Sequence, residues 1–402
     1  MPQNSLARSP LSDNHLAAMK ARGPVAAILC SAALLLQATA APAQVHLSLF
    51  HPVSTNSDPG ASATFAVSVF QSRIGQLGGV GIHPIVSSVE GPASFLLVTG
   101  AYSRVAGPFR GFGITGGIAA AQDEVRGFQV AGIGNFVEGR TRGFQAAGVV
   151  NAVRGDLRGI QLAGFANMNA GQTRGLQVST VANVSEGPVR GLQLAGGLNF
   201  AQDGTNGLQL ALGNLTAGSS HGAQVGFYNI AGESHALQIG AVNVAGRSDG
   251  VPIGLVNLSR ESGMVEVTGF ASTLSAANVG VRTTVNRFQS TLAVGGPDLE
   301  GDVSTAGFLT WAFGYRFPIS ERFEVGTDIG FAHIMPEKTD DPTDHDRLHF
   351  ALLARLLPEF RISESVGIFA GPGAAVIYDR YGSGAESTSE LLATVGLAVR
   401  LQ

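Results

Sequence analysis

The chain has 402 residues, 45% of them hydrophobic and only 13% charged, with 55 glycines and a single cysteine. Average chains carry about 25% charged residues and about 7% glycine, so this composition is poor in charge and rich in glycine. A net charge of −4 excludes the clustered basic footprint of nucleic-acid binding. One cysteine excludes an internal disulfide, and the scarcity of candidate nucleophiles, bases and metal ligands argues against a conventional enzyme.

At the amino end, Met19-Lys20-Ala21-Arg22 supplies a positive start and Val25 to Leu36 a short apolar core. Ala41-Pro42-Ala43 then gives a small-x-small cleavage pattern. This layout predicts a secretory signal peptide over residues 1–43, with Met19 as a candidate true start. Its apolar run is too short for a spanning helix, and no later stretch approaches about 20 apolar residues. A helical inner-membrane protein is therefore excluded. Cys30 falls inside this segment, and Leu29 stands where a lipoprotein signal needs a small residue. Residues 44–109 follow as amino-terminal strands, with Phe65, Val67 and Val69 alternating with Ala66, Ser68 and Phe70.

Residues 110–262 form a tandem repeat, a feature that governs any fold reading. The unit is Arg-Gly-apolar-Gln-apolar-Ala-Gly-x-x-Asn followed by a polar turn. Arg126-Gly127-Phe128-Gln129 leads to Asn135, and Arg142-Gly143-Phe144-Gln145 to Asn151. The same pattern runs from Gln161 to Asn167, Gln177 to Asn183 and Gln193 to Asn199, at a period of 16. It shortens through Gln209–Asn214, Gln224–Asn229, Gln238–Asn243 and the variant Pro252–Asn257. Each unit reads as strand and turn, because a glycine inside every unit would cost a helix about 1 kcal/mol each time.

Two β architectures fit these repeats. In a solenoid each unit is a coil, and equivalent residues stack about 4.8 Å apart. In an antiparallel meander each unit is one strand. Arg110, Arg126, Arg142, Arg158, Arg174 and Arg190 recur in one register. A solenoid would stack them as a column of like charges needing anions or interleaved carboxylates. A meander places consecutive arginines at opposite rims, and on this ground the meander is preferred. The Gln-to-Asn spacing cuts the other way, since it changes from six to five and demands a bulge or corner. Pro252 also suits a central strand poorly.

Residues 263–402 carry a different signal. Leu309, Trp311, Phe313, Tyr315 and Phe317 share one face, opposite Thr310, Ala312, Gly314 and Arg316. Phe323, Val325, Thr327, Ile329 and Phe331 alternate with Arg322, Glu324, Gly326, Asp328 and Gly330. An aromatic, apolar face opposed to a charged, glycine-rich one matches strands held between lipid and a polar lumen. Phe317-Pro318-Ile319-Ser320-Glu321 is echoed by Phe360-Arg361-Ile362-Ser363-Glu364, which predicts two similar hairpins with short turns. Pro336 to Arg347 is a polar loop of the outer-side kind. The last strand, Leu391 to Gln402, alternates but lacks a terminal aromatic.

The repeats resemble bacterial surface-repeat proteins whose unit is Gly-Leu-Gln-x-Gly-x-x-Asn, as in Ala236-Leu237-Gln238-Ile239-Gly240-Ala241-Val242-Asn243. The opening Leu47-Ser48-Leu49-Phe50-His51-Pro52-Val53-Ser54-Thr55-Asn56 is similar to that family's first strand. Gly250-Val251-Pro252-Ile253-Gly254-Leu255-Val256-Asn257 resembles its last repeat, and Ile368-Phe369-Ala370-Gly371-Pro372 its late strand. The resemblance implies an exported protein of the surface or outer membrane and implies no catalytic residues.

The chemistry searched for gives little. Asp340-Asp341-Pro342-Thr343-Asp344-His345-Asp346 lacks the spaced carboxylates and fixed glycine of a calcium loop. His345 and His349 have no third ligand at a suitable spacing, and His221 and His235 stand in the arginine register as turn residues. No Gly-x-Ser-x-Gly elbow, zinc-protease helix or phosphate loop is present.

The reading is therefore an all-β protein, an antiparallel meander or outer-membrane-type β-barrel with tandem 14–16-residue strand repeats. A β-solenoid flanked by barrel-like strands is the alternative. Expected is an exported, non-enzymatic repeat protein of the outer membrane or cell surface with a structural or interaction role. The alternatives are a porin-like channel, with about 18–20 strands closing one barrel, and a secreted solenoid adhesin for anionic glycans. No catalytic, cofactor-binding or metal residue is nominated. The one candidate site is the arginine ladder, because guanidinium forks suit phosphates and carboxylates. Expected partners are outer-membrane lipid or lipopolysaccharide, and surface glycans.

Overall fold

A computed structural model of the protein describes residues 44–296, 305–336, 348–381 and 384–401. The expected signal peptide, Cys30 and the acid–histidine segment from Asp340 to Asp346 lie outside these residues. Among the described residues all regular structure is strand, from β1 (Val45–Phe50) to β34 (Gly384–Arg400). The strands up to β26 (Val256–Ser259) pair almost wholly in parallel, and the last eight close a barrel. The chain divides into two compact units at Gly139 and Arg140.

In the first unit, a long and a short strand alternate along the chain, and each pairs with its own kind one turn later. The long strands β3 (Ser62–Ser68), β5 (Gln76–His83), β7 (Ala93–Thr99), β9 (Phe109–Thr115) and β11 (Val125–Ala131) form one parallel ladder. The short strands run from Gln71–Ile74 to Gly134–Val137 in a second ladder. Coils therefore begin well before the recognisable repeats. β1 pairs in parallel with β3, while β2 (Val53–Ser54) folds back antiparallel on β1 and covers its outer edge. That removes an exposed template for pairing with another chain.

The second unit continues the design with the repeats in strict register. Arg142, Arg158, Arg174 and Arg190 align, as do Gln145, Gln161, Gln177 and Gln193. Asn151, Asn167, Asn183, Asn199 and Asn214 align on the short strands. The repeats are thus solenoid coils, and the preferred meander does not hold for them. Identical side chains can oppose each other at every step only in a parallel, in-register stack. The chain makes use of this through the amides. Gln161 Nε2 donates to Gln145 Oε1 at 2.9 Å, and the series continues to Gln238 and Gln224 at 2.8 Å. Asn151 Nδ2 donates to Asn167 Oδ1 at 2.9 Å, and so on to Asn257.

The two amide columns point in opposite directions, glutamines donating toward the amino end and asparagines toward the carboxy end. Their dipoles therefore oppose each other. The second asparagine proton goes to a backbone carbonyl of the next coil, as from Asn183 to Leu194 O at 2.8 Å. Buried amides are tolerated because they are hydrogen-bonded. The glycine after each arginine has its own cause. Gly159 has φ +140, and a Cβ there would lie 1.9 Å from the Gly143 carbonyl oxygen. Only glycine fits such backbone contact at positive φ.

The shortening from six to five residues between Gln and Asn falls at the corner joining long and short strands. The long strand ends at Ala195, two residues after Gln193, but at Leu210, one residue after Gln209. Pro252, in the glutamine register, lies in the terminal coil, where a missing ladder donor is tolerated.

The closed barrel comprises β27 (Gly263–Ser272), β28 (Ser275–Val285), β29 (Phe288–Gly295), β30 (Thr305–Pro318), β31 (Phe323–Pro336), β32 (Leu348–Arg361), β33 (Val366–Tyr381) and β34. Every neighbouring pair is antiparallel, and β27 closes on β34. The expected face split holds: Leu309, Phe317, Ile329 and Phe331 are exposed outside, while Ala312, Arg316, Asp328 and Ala332 are buried within. Both expected hairpin turns form, closed by Ile319 N to Phe323 O and Ile362 N to Val366 O. A single barrel of about 18–20 strands is not what forms, because the repeats satisfy their backbone groups between coils and have no edge to offer it.

Candidate functional site

Two sites emerge, the barrel lumen and the outer surface of the coils. In the lumen, Arg282 Nε meets Glu266 Oε2 at 2.8 Å and its Nη2 meets Glu359 Oε2 at 2.6 Å. Arg316 bridges Glu266 at 2.9 Å and Glu359 at 3.0 Å, and also pairs with Glu324, which Arg361 meets at 3.2 Å. Arg355 clasps Asp328 with two bonds of 2.9 and 3.0 Å. Arg282 lies over the Phe369 ring and Arg355 over Phe270, contacts that suit desolvated guanidinium groups.

An enclosed space lined by Phe270, Asn278, Thr310, Arg355 and Thr394 measures about 20 Å³, room for about one water. An eight-stranded barrel is just wide enough to be filled by side chains, and this one is crossed by ion pairs. The alternating pattern pointed to Arg316, Glu324 and Asp328. Their partners Glu266, Arg282, Arg355 and Glu359 went unnoticed, although each is a charged residue inside an otherwise apolar or small-residue strand.

The coils invert the usual soluble arrangement. Glutamine and asparagine are buried, whereas Ile160, Phe165, Met168, Leu192, Leu212, Phe227, Tyr228 and Ile230 are exposed. No charged residue or histidine occurs in 144–153, 160–169, 176–185, 192–201, 208–216, 223–231, 237–245 or 253–258. These segments run along the long strand, round the corner and back along the short strand. All charges of the second unit's coils sit at the opposite end, the base of each arch. Each coil is therefore an arch with an apolar outer skin, a polar inside and a charged base.

The arginines of the candidate ladder occupy that base. In the first unit Arg110 aligns with Arg126, and Arg126 Nη2 pairs with Glu124 Oε2 at 2.8 Å. In the second unit Arg142, Arg158, Arg174 and Arg190 form one column, continued in register by Asn206, His221 and His235. They do not alternate between two rims, since a parallel stack returns every coil in the same orientation. Among the described residues, Arg158, Arg174 and Arg190 are exposed and form no ion pair. His221 and His235 stack with ring centroids 4.7 Å apart, a contact their isolated turn reading did not anticipate.

The end of the solenoid rests on the outside of the barrel. Gly254 O, at the corner of the last coil, accepts from Trp311 Nε1 at 3.1 Å and from Ser290 Oγ at 2.6 Å. Asn257 N donates to Thr283 Oγ1 at 3.2 Å. The base of the same coil is tied to the short β28–β29 turn, where Asn286 N donates to Ser262 O at 3.0 Å. The barrel wall thus caps the carboxy-terminal edge of the solenoid. Nothing in the sequence pattern marks Ser290 and Thr283 for this, since both read as polar residues on an outward apolar face.

No family model and no curated protein sequence matches the chain. Among solved structures, the chain is similar to the amino-terminal β-barrel domain of Pseudomonas aeruginosa OprF, at 13% identity and a TM-score of 0.26, covering 35% of this chain and 96% of that one. It is also similar to the Yersinia pestis outer membrane protein Ail in a phospholipid bilayer nanodisc, at 14% identity and a TM-score of 0.23, covering 35% and 99%. A de novo designed transmembrane β-barrel shares 15% identity at a TM-score of 0.22, covering 35% and 94%.

Proposed function

We propose that this is an exported, non-enzymatic outer-membrane repeat protein, anchored by the barrel and working through the surface of its coils. The observation that carries this reading is the radial polarity of the barrel. Leu309, Phe317, Ile329, Leu352, Leu356 and Leu391 are exposed to the outside, while Glu266, Arg282, Arg316, Asp328, Arg355 and Glu359 are buried within. A soluble protein would place those charges in water. In a bilayer, every backbone polar group must be satisfied internally, and a closed barrel does so.

The resemblance of the repeats to bacterial surface-repeat proteins agrees with this assignment. So does the arrangement of turns, with Ile319–Arg322 and Ile362–Ser365 making tight connections at one end, as at the periplasmic side of such barrels. The lumen's ion pairs favour an anchor over a channel. The test is gel mobility, boiled against unboiled, of protein from isolated outer membranes. A mobility shift on heating is expected; absence of the chain from that fraction overturns the reading. Planar-bilayer recordings of the same material should show no steady conductance.

A further inference from the structure

We propose that the solenoid coils of the second unit are themselves seated in the membrane, as a wedge in the leaflet at the barrel's short-turn end, with the arginine column against phospholipid phosphates. This rests on the outer-membrane reading of the barrel and adds a second, non-spanning membrane element and the lipid it contacts.

Three independent observations converge on it. The first is the apolar skin. A soluble solenoid buries its apolar residues and shows water its polar ones, but here Phe165, Leu212 and Phe227 are at least half exposed, at 55, 60 and 50%. The amides that could have faced water are buried and mutually bonded. Contiguous apolar surface of this extent marks an interaction site, and its boundaries are regular: each coil is uncharged from the apolar residue before the glutamine register to at least one residue past the asparagine.

The second is depth. From Ile160 to the corner at Gly164 is four residue steps, about 13 Å of strand. Half the hydrocarbon core of a bilayer is about 15 Å. The arches are therefore sized to enter one leaflet, with the charged base left at the interface. Backbone groups inside the leaflet remain satisfied, because coil bonds to coil and the last coil is closed by the barrel wall.

The third is where the barrel holds the last arch. Its corner, Gly254, is bonded to Trp311, near the middle of β30 (Thr305–Pro318) and on the outward face. Its base is bonded to the β28–β29 turn. The same Gly254 carbonyl accepts from Ser290, the third residue of β29; if β30 crosses the bilayer, the corner therefore sits inside the leaflet, between the midplane and the short-turn surface, and the base at that surface, in keeping with the apolar skin. Along that base, Arg158, Arg174 and Arg190 stack in register with no carboxylate partner among the described residues. Stacked guanidinium groups about 4.8 Å apart repel each other, and a row of phosphates relieves this while offering each fork two acceptors. Phospholipid headgroups supply such a row. The short-turn end faces the periplasmic leaflet, which selects phospholipid over the outer glycolipid.

The experiment uses the full chain in vesicles of phosphatidylethanolamine and phosphatidylglycerol with acyl chains brominated near their middle. Cys30→Ser is combined in turn with Phe165→Cys, Leu212→Cys or Leu391→Cys, and each cysteine carries a polarity-sensitive fluorophore. All three positions are exposed on the protein, so folding is left intact, and Leu391 reports on the barrel alone. Bromine quenching at Phe165→Cys and Leu212→Cys to about the extent seen at Leu391→Cys is expected. Quenching at Leu391→Cys with water-exposed labels at the other two overturns the wedge and keeps the barrel in the membrane. No quenching at any position overturns both. Labels at Phe165→Cys that are shielded from water but not from a second labelled copy would assign the surface to self-association and likewise overturn the wedge.

Discussion

The coils and the barrel solve one problem in opposite geometries. Both present apolar side chains outward and hold polar ones within, yet the barrel uses antiparallel strands around charged pairs, and the coils use parallel strands around neutral amides. The difference follows from repetition. A parallel in-register stack sets like against like, and a buried column of identical charges would be prohibitive, whereas an amide is both donor and acceptor and can bond to its own copy indefinitely. An antiparallel barrel sets different residues side by side, so Arg282 can meet Glu266 and Glu359, and Arg355 can meet Asp328.

This contrast predicts unequal sensitivity. Removing one member of the lumen cluster, as in Arg316→Ala, leaves Glu266, Glu359 and Glu324 short of a partner. Breaking a buried pair in this way costs about 3–5 kcal/mol. The temperature at which the folded barrel loses its unboiled gel mobility should fall markedly. An unchanged transition would mean that the cluster is not load-sharing, and that the lumen admits water.

In the coils, Gln177→Leu interrupts a neutral ladder, stranding the Gln161 and Gln193 amides on either side. Each stranded group costs about 1–3 kcal/mol, and Ser185, bonded to both Gln177 and Gln193, can absorb part of the loss. Repeat arrays also divide such damage between neighbouring interfaces. Limited proteolysis should therefore open the chain near residues 161–193 while the barrel's thermal transition stays put. Loss of both together would show that coils and barrel unfold as one.

The amino-terminal unit departs from the amide design, and it does so measurably. There the interior holds His46 and His83, with His83 Nδ1 3.0 Å from Ser68 Oγ. Burial, helped by the nearby His46, pushes the His83 imidazole down to about 4 from 6.5. The native state thus favours the neutral ring, and the unfolded chain takes up the proton first. Stability contributed by this site is complete above about pH 6.5 and is lost as pH falls toward 4. By pH 5.5, one unit below the unfolded value, the loss should be about 1.4 kcal/mol. Corrected for the intrinsic exchange rate, the protection of amides in residues 62–99 should fall between pH 7 and 5, and His83→Gln should remove most of that dependence, the buried His46 keeping a part.

Much of this was legible in the residues. Strand alternation from Leu309 to Phe331 gave the inward and outward faces of the barrel, because a period of two survives any topology. The strictness of the Arg-Gly-x-Gln spacing marked a repeat unit. Its direction was not legible, since a strand has the same face pattern whether its neighbour runs parallel or antiparallel. Electrostatic reasoning on Arg142, Arg158 and Arg174 pointed to the meander, because a stacked column of like charges needs anions or interleaved carboxylates beside it. Gln161 and Asn167 held the better clue, being amides repeated where a soluble β protein would place valine or leucine.

The same arginines give the smallest effect and the most discriminating one. Arg158, Arg174 and Arg190 are exposed, so replacing all three with glutamine removes no packing. In a non-ionic detergent the substitution relieves like-charge repulsion and should raise the coils' melting temperature by at most about 2 °C. The gain should shrink as salt shortens the range of the repulsion. In vesicles containing phosphatidylglycerol the sign should reverse, because the native column then has phosphates to bond and the variant does not. A reversal of sign between detergent and anionic bilayer cannot come from turn chemistry or from local pairing with Asp156 or Glu186, which are the same in both. If the triple variant behaves alike in the two media, the arginines are simply a solvated edge, and the apolar skin alone must account for where the coils reside.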